Sequence, residues 1–371
     1  MRIEAKQLGE YEWLHVIADE AHKLKNRKAK QTKSMKRIRN VLYKSALTGT
    51  PIINRADELW SLLDWLYQGK KERIKFLGED AEYILRSYWR FFDAFCDYVV
   101  IPPQMYKKIT GTRNEKALQQ LMSAFYIRRT KKVALPDLPD KQYTDIWVEL
   151  DGKQKRAYDQ MKKTLIAWVG EHESEPIVAP IIIAQLTRLQ QFAISYADLE
   201  TRTVNTADNG PVEEQVVRMT EPSVKLDAFM EILEDAGDQQ IVVFSQFTQA
   251  IELLCTRMDK ANISYGKITG SVPQKTRTRY IDEFQNGELQ VMACNIRAGG
   301  VGIDLYSAST VVFLDRSWSP ADNKQAEDRL HRSGQKNAVQ VIDIMASNTV
   351  DMGRRQRLEQ KWSWIRNIIG E

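Results

Sequence analysis

Residues 291–335 read VMACNIRAGGVGIDLYSASTVVFLDRSWSPADNKQAEDRLHRSGQ, and this stretch decides the fold. The runs at 290–294 and 310–314 are short, β-branched and apolar, the pattern of strands buried on both faces of a parallel sheet. Between them lies RAGGVGID, residues 297–304, where Gly299, Gly300 and Gly302 put three glycines in four positions. Glycine lets backbone come close to an anion and aim its N–H groups at it, as a phosphate nest requires. A helix follows with its punctuation written out: Ser319 at the N-cap, Pro320 in the first position, Asp322 at the capping-box position and Gly334 just past the end. On that helix Gln325, Arg329 and Arg332 fall at i, i+4 and i+7, so the spacing predicts one shared face. Two arginines on one face repel each other. Either they lie on a solvated surface beside Glu327 and Asp328, or they meet a polyanion such as a triphosphate, which guanidinium groups clamp in the transition state. The helix alone leaves both readings open.

Two ordered matches decide between them. QAEDRLHRSGQ, residues 325–335, resembles motif VI of the Swi/Snf-type DNA translocases of helicase superfamily two, and NIRAGGVGIDL, residues 295–305, resembles their motif V. The resemblance implies an α/β fold of two RecA-like parallel-sheet lobes with helical insertions between them, and ATP with Mg as cofactors. It implies that Arg329 and Arg332 are arginine fingers and that Gln325, Gly302 and Asp304 couple to the nucleotide. Arg297, Gly299, Gly300 and Trp318 would then meet DNA.

At 371 residues the chain is long enough for two or three domains, each with a core. No apolar run reaches membrane-spanning length and the first residues do not form a signal peptide, so we expect no membrane partner and a soluble protein, cytoplasmic in a bacterial or viral host cell. Cys96, Cys255 and Cys294 have no metal-ligand spacing and are too scattered for a disulfide framework; with four unclustered histidines, no zinc site is expected. The net charge of +5 says little by itself. Its distribution says more, because residues 23–44, KLKNRKAKQTKSMKRIRNVLYK, contain no acid. Solvated helices usually interleave acids with bases, so this run favours a phosphate backbone.

Taken from the start, WLHVIA at 13–18 reads as a buried strand ending on Asp19-Glu20-Ala21-His22. An acid pair at the carboxyl end of such a strand is where an open α/β sheet places ligand chemistry, though acids also begin helices for capping reasons. In a phosphoryl-transfer site the Asp would hold magnesium and the Glu would orient water. DEAHKLKN, residues 19–26, resembles motif II of the same family in its extended form. The resemblance implies Asp19 as the Mg ligand with Glu20 nearby, both catalytic, His22 as a nucleotide-coupling residue, and Lys25 and Asn26 on DNA. SALTGTP, residues 45–51, is by itself a strand leaving into a loop. It resembles motif III, which implies that Thr48, Gly49 and Thr50 couple to the DNA track; Asn54, Glu58 and Leu59 continue the pattern into a helix packed through Trp60, Leu63 and Leu66.

Residues 67–125 are aromatic, charged and poorly patterned for strands, so a helical insertion is predicted, with Trp89, Phe91, Phe92 and Phe95 as core. FYIRRTKK, residues 125–132, closes the lobe; Arg128, Arg129 and Lys131 match the family's arginine-arginine-threonine-lysine segment, which implies DNA contact. LPDLPDKQ at 135–142 reads as an extended linker. Residues 155–236 read as mainly helical, with a polar loop between 198 and 222. From Gln240 the α/β pattern returns: IVVFSQF, residues 241–247, resembles motif IV and implies Ser245 and Gln246 on DNA, and VQVIDIMA, residues 339–346, supplies a last strand. The expected domains are a partial first ATPase lobe at 1–135, a linker and helical protrusion at 136–222, a second lobe at 223–347 and a helix at 348–371.

A P-loop, G-x-x-x-x-G-K-[ST], is absent: at Gly266-Lys267, Ala261 stands where the first glycine belongs and Ile268 replaces the hydroxyl. In the family this motif lies upstream of motif II, and only eighteen residues precede Asp19. We therefore expect a first lobe lacking its start, with an open sheet edge, inactive alone and served by a separate N-terminal P-loop polypeptide. The expected function is an ATP-dependent motor on double-stranded DNA; the alternatives are a non-catalytic DNA-binding or regulatory remnant of such a motor, and a strand-separating helicase.

Overall fold

The computed structural model describes residues 5–49, 51, 55–67, 79–102, 105–124, 126–171, 178–206, 210–299 and 302–369. The chain divides into two compact units, Met1–Arg128 with Glu359–Glu371, and Arg129–Leu358.

In the first unit β1 (Trp13–Ala18) pairs in parallel with β2 (Val41–Ala46), Trp13 opposite Val41 and Ala18 opposite Ala46. The basic run between them folds as a 3-10 turn (Ala21–Leu24) and a short helix (Lys30–Met35) that buries Thr32, Ser34 and Met35 and turns Lys30 and Lys33 to solvent. The reading of 13–18 as a buried strand is corrected: Leu14 is 71% exposed, and Ile17, Leu42 and Tyr43 also lie mostly exposed. Among the described residues this sheet has only these two strands, and apolar side chains on both of its faces lie exposed, Leu14 and Leu42 on one and Ile17 and Tyr43 on the other.

The helix Asp57–Tyr67 buries Leu59, Leu62, Leu63 and Trp65, while Trp60 is only half-buried. Leu59 and Leu63 join Phe91, Phe92, Phe95, Cys96 and Leu118 in the core of this unit. The insertion at 67–125 is not wholly helical. Helices Glu79–Leu85, Tyr88–Phe95 and Glu115–Ser123 are joined by an antiparallel hairpin of β3 (Cys96–Ile101) and β4 (Tyr106–Thr112). The β-branched and aromatic content of CDYVVI and YKKITGT was the overlooked signal. Phe91, Phe92 and Phe95 are core as expected, but Trp89 is 53% exposed.

The second unit is built on a six-stranded parallel sheet, the α/β architecture that the sequence pattern predicts. Its strands begin with β5 (Lys141–Val148), so the segment read as a linker ends in a strand. An antiparallel hairpin of β6 (Tyr196–Thr206) and β7 (Gly210–Thr220) follows, with Tyr196 opposite Thr220. The polar loop expected at 198–222 is therefore mostly paired strand, because its threonines and valines alternate with polar residues on either side of an Asp-Asn-Gly sequence. Next come β8 (Ile241–Ser245), β9 (Tyr265–Ile268), β10 (Val291–Asn295), β11 (Thr310–Phe313) and β12 (Val339–Ala346). The sheet order is β5-β12-β11-β8-β10-β9. Alternate side chains feed opposite faces. Ile241, Val243, Val291, Ala293 and Val312 enter one apolar cluster, and Val242, Phe244, Met292, Cys294, Val311 and Phe313 enter the other.

One buried ion pair ties helices to this sheet. Lys225 is fully buried near the start of helix Val224–Asp235; its Nζ donates to the carbonyl of Leu314 at 2.8 Å and to Asp351 Oδ2 at 2.6 Å. Asp351 also pairs with Arg354 at 2.8 Å. Burial pushes the Asp351 carboxyl up, but Lys225 and Arg354 outweigh it and hold it below the ordinary range. Asp351→Ala strands the Lys225 ammonium and is expected to cost about 3–5 kcal/mol, read by urea unfolding. Lys225→Met combined with Asp351→Leu should cost less than Asp351→Ala alone.

Candidate active site

In the first unit the chemistry gathers where β1 and β2 end. Leu47 N–H donates to Ala18 O at 2.8 Å and Ala21 N–H to Leu47 O at 2.9 Å, which sets the DEAH segment beside the SALTGT segment. Asp19 is exposed, and its Oδ1 accepts the Glu20 N–H at 2.8 Å. Glu20 has φ 49° and ψ 44°, a left-handed conformation that costs a non-glycine residue about 1 kcal/mol or more. Such a cost persists where the surroundings hold it. Here the buried His22 does so, its Nδ1 lying 3.2 Å from Glu20 Oε2 and 3.2 Å from Thr48 Oγ1. The imidazole thus joins the acid of one loop to the hydroxyl of the other.

The other residues singled out in this unit are more dispersed. Lys25 stands 3.5 Å from Glu58, and Asn26 is exposed with its side-chain oxygen on the Lys28 N–H at 2.9 Å. Gly49 is exposed; Thr50 and Asn54 lie outside the described residues. Arg128 is half-buried at the end of this unit, and Arg129, exposed, begins the second. An exposed carboxylate at the carboxyl end of a parallel strand suits Mg²⁺, which takes one or two carboxylates and fills its shell with water and phosphate oxygens. Asp19 would be that ligand.

In the second unit the carboxyl ends of β8, β10 and β11 meet at Asp315, a buried carboxylate that sequence reasoning missed. It accepts from Ser245 Oγ at 2.5 Å, Gln246 N–H at 3.2 Å and Gln246 Nε2 at 2.8 Å. Gln246 Nε2 also reaches Arg316 O, and Asn295 Nδ2 reaches Gln246 O at 2.7 Å. Ser245 and Gln246 are thereby fixed by the sheet. An acid directly after a buried strand was the available signal, the same one that identified Asp19.

The phosphate nest expected in the motif V loop falls partly outside the described residues. Residues Ile296–Gly299 form a helical turn, and a Cβ on Gly299 would lie 2.7 Å from Cys294 Cβ, so this glycine is used by close contact with β10. Gly302 has φ +69°, and Gly300 lies outside the described residues. Arg297 is exposed, and among the described residues its guanidinium has no hydrogen-bond or ion-pair partner.

The helix after Ser319 is capped as expected, with Ser319 Oγ accepting the Asp322 N–H, but it ends at Glu327. Gln325, Arg329 and Arg332 therefore do not share a helical face. The chain leaves the helix because its backbone pairs elsewhere: Leu305 N–H donates to Arg329 O at 3.0 Å. Arg329 Nη1 donates to Ile303 O and its Nε to Gln325 O, each at 3.2 Å, while Arg332 bonds the Asp304 carboxylate. Both guanidiniums are held against the motif V segment. Trp318 donates its indole N–H to Gln190 Oε1 at 3.0 Å. Lys131 pairs with Asp328 at 2.8 Å and donates to His331 O, and burial draws its ammonium below the ordinary range despite that acid.

Behind these residues runs an ionic network. Arg316 reaches Glu327 Oε1 and Asp343 Oδ1, each at 2.6 Å, and Lys141 reaches Glu327 Oε2 at 2.8 Å. Burial pushes the Glu327 carboxyl up, but Arg316 and Lys141 more than reverse this and hold it at about 2.

A parallel α/β sheet with phosphate-chemistry residues at its carboxyl ends is the arrangement of nucleotide-driven enzymes. The chain matches the SNF2-related domain over residues 1–195 and the helicase conserved C-terminal domain over residues 224–334. It belongs to the SNF2-related, Swi/Snf-type family of helicase-like ATPases. It is 29% identical to an uncharacterized ATP-dependent helicase of Mycoplasma genitalium over 100% of this chain and 32% of that protein, and 28% identical to the putative ATP-dependent helicase/translocase YwqA of Bacillus subtilis over 99% and 37%. The chain thus spans about a third of the length of these relatives. Among solved structures it is similar to the Sulfolobus solfataricus SWI2/SNF2 ATPase core in complex with dsDNA, at 28% identity, 98% of this chain, 70% of that one and a TM-score of 0.48.

Because the folded Glu327 pKa is depressed, its contribution to stability is present above the ordinary carboxylate value of 4.5 and is lost as pH falls toward about 2. Glu327→Gln is expected to lose about 3 kcal/mol at pH 7. The gap between variant and wild type, followed by denaturant unfolding, should narrow between those two pH values.

Proposed function

We propose that this protein is an ATP-dependent translocase on double-stranded DNA. The observation that carries it is the acid pair at the end of β1, with Glu20 in a left-handed conformation and His22 bonded to both Glu20 and Thr48. A scaffold without chemistry to perform has no need of such a costly geometry. The family is one of helicase-like ATPases, and the B. subtilis relative is named as a putative translocase. In this reading Asp19 holds the metal of Mg·ATP, Glu20 orients the attacking water, and Arg329 and Arg332 neutralise charge on the transferring phosphoryl group. Bound magnesium would supply charge neutralisation at the phosphates. His22 carries the state of Glu20 to Thr48, and Arg297, exposed, meets a DNA phosphate.

These 371 residues contain no P-loop sequence, so ATP turnover is proposed to need a phosphate cradle supplied from outside them, for instance on a separate N-terminal polypeptide. The second reading is a DNA-binding or regulatory remnant of such a motor. The test is to mix this chain with a polypeptide carrying the P-loop part of an SNF2-related domain and measure ATP hydrolysis with and without duplex DNA. We expect none from the chain alone and DNA-stimulated turnover from the mixture. Asp19→Asn should reduce that turnover at least 100-fold, and Arg329→Ala by about 1000-fold, with DNA affinity retained. No turnover from folded, associated pieces, together with salt-dependent DNA binding indifferent to ATP and Mg, would leave the remnant. A strand-displacement assay on the active mixture separates a translocase from a strand-separating helicase.

A further inference from the structure

The first unit contains a cavity of about 670 Å³ that reaches Lys25 and Asn26 but none of the residues assigned to ATP chemistry. One wall is the segment after the DEAH turn, with Lys25, Arg27 and Lys28; the opposite wall is the aromatic helix Tyr88–Phe95 and strand β4, with Trp89 and Lys107. Arg55 lies at the start of the helix that floors it. Five cationic side chains thus face two acids, Asp57 and Glu58, both already engaged: Asp57 accepts from Tyr88 OH at 2.9 Å and pairs with Arg55 at 3.1 Å, and Glu58 pairs with Lys25.

Of the remaining cations, Arg27 and Lys28 have no acid partner among the described residues, and Lys107 has one. Arg27 has its guanidinium 4.0 Å from the centre of the Tyr88 ring and no carboxylate partner among the described residues. Lys28 is exposed, and its ammonium makes no ion pair or hydrogen bond among them. Lys107 pairs with Asp93 at 3.0 Å and stands 4.2 Å from the Tyr98 ring and 5.4 Å from Trp89. Five cations on one concavity against three acids leave a net positive charge that attracts an anion. Trp89 adds the second requirement. Its indole lines the cavity at 53% exposure, held edge-on by Tyr88 and Phe92 with ring centres at 5.1 and 5.6 Å.

We propose that this cavity binds an unpaired stretch of nucleic acid, its phosphates against Lys25, Arg27, Lys28 and Lys107 and a base against Trp89. A cationic groove edged by an exposed aromatic ring is the chemistry that recognises a single strand, whose bases are free to stack. A duplex offers its phosphates but keeps its bases inside its own stack. The volume suits a nucleotide unit rather than a side chain. The site is distinct from the acid pair at the end of β1 and does not depend on ATP hydrolysis.

The test is fluorescence anisotropy on the full 371-residue chain with a labelled oligothymidylate of about 15 nucleotides and a duplex of the same length, across a salt series. Trp89→Ala should weaken oligothymidylate binding about tenfold and leave duplex affinity unchanged, with Trp89→Phe close to wild type. Lys28→Ala should flatten the single-strand salt slope by about 0.7. Both positions are exposed, and a circular-dichroism melt verifies the fold. A 5-iodouracil oligonucleotide should crosslink within residues 87–92. The proposal is overturned if Trp89→Ala binds oligothymidylate like wild type, if duplex and single-strand affinity fall together, or if free thymidine monophosphate competes as well as the oligonucleotide. DNA-stimulated ATP turnover is read separately, so its failure would remove the motor reading and leave this one standing.

Discussion

The second unit depends on one guanidinium. Arg316 emerges from β11 largely buried, its plane 3.7 Å from the Phe313 ring centre, and it holds Glu327 and Asp343 at once. Glu327 in turn takes Lys141 of β5 and the Tyr143 hydroxyl. Three parallel strands and the capped helix are thus fastened by largely buried charges. Arginine suits this place because its planar fork can serve two carboxylates simultaneously. A buried charge without such partners would be far too costly.

The consequence for function is positional. With Glu327 fixed, the turn that follows it is fixed as well, and Arg329 and Arg332 are set against Ile303 and Asp304. Asp315, the residue before Arg316, does the same for Ser245 and Gln246. Two adjacent residues at one strand end therefore place the segments resembling motifs IV, V and VI. In the first unit His22 has the equivalent part, joining Glu20 to Thr48 where two strands end.

Much of this was legible in the chain. Continuous apolar runs gave the parallel sheet, and Ser319-Pro320 gave the helix start, because both signals are local. The helix end was misjudged because Arg329 leaves the helical path to pair with Leu305, a contact between residues far apart in sequence. The close packing of Gly299 against Cys294 is invisible in the sequence, because it depends on how the loop folds back on β10. The hairpins at 96–112 and 196–220 were missed because polar and charged residues are frequent in their strands, which weakens the alternation that identifies a strand.

The sequence by itself determined the class of the sheet, the family and the identity of the acids and arginines, since these rest on residue type and short spacing. Only the tertiary structure decided which acid meets which base, that Trp89 faces a cationic cavity while its phenylalanine neighbours are core, and that β1 and β2 leave apolar side chains exposed. The reason is that charge pairing and burial are properties of distance in space. The chain's own order carries that distance only within a turn or two of helix.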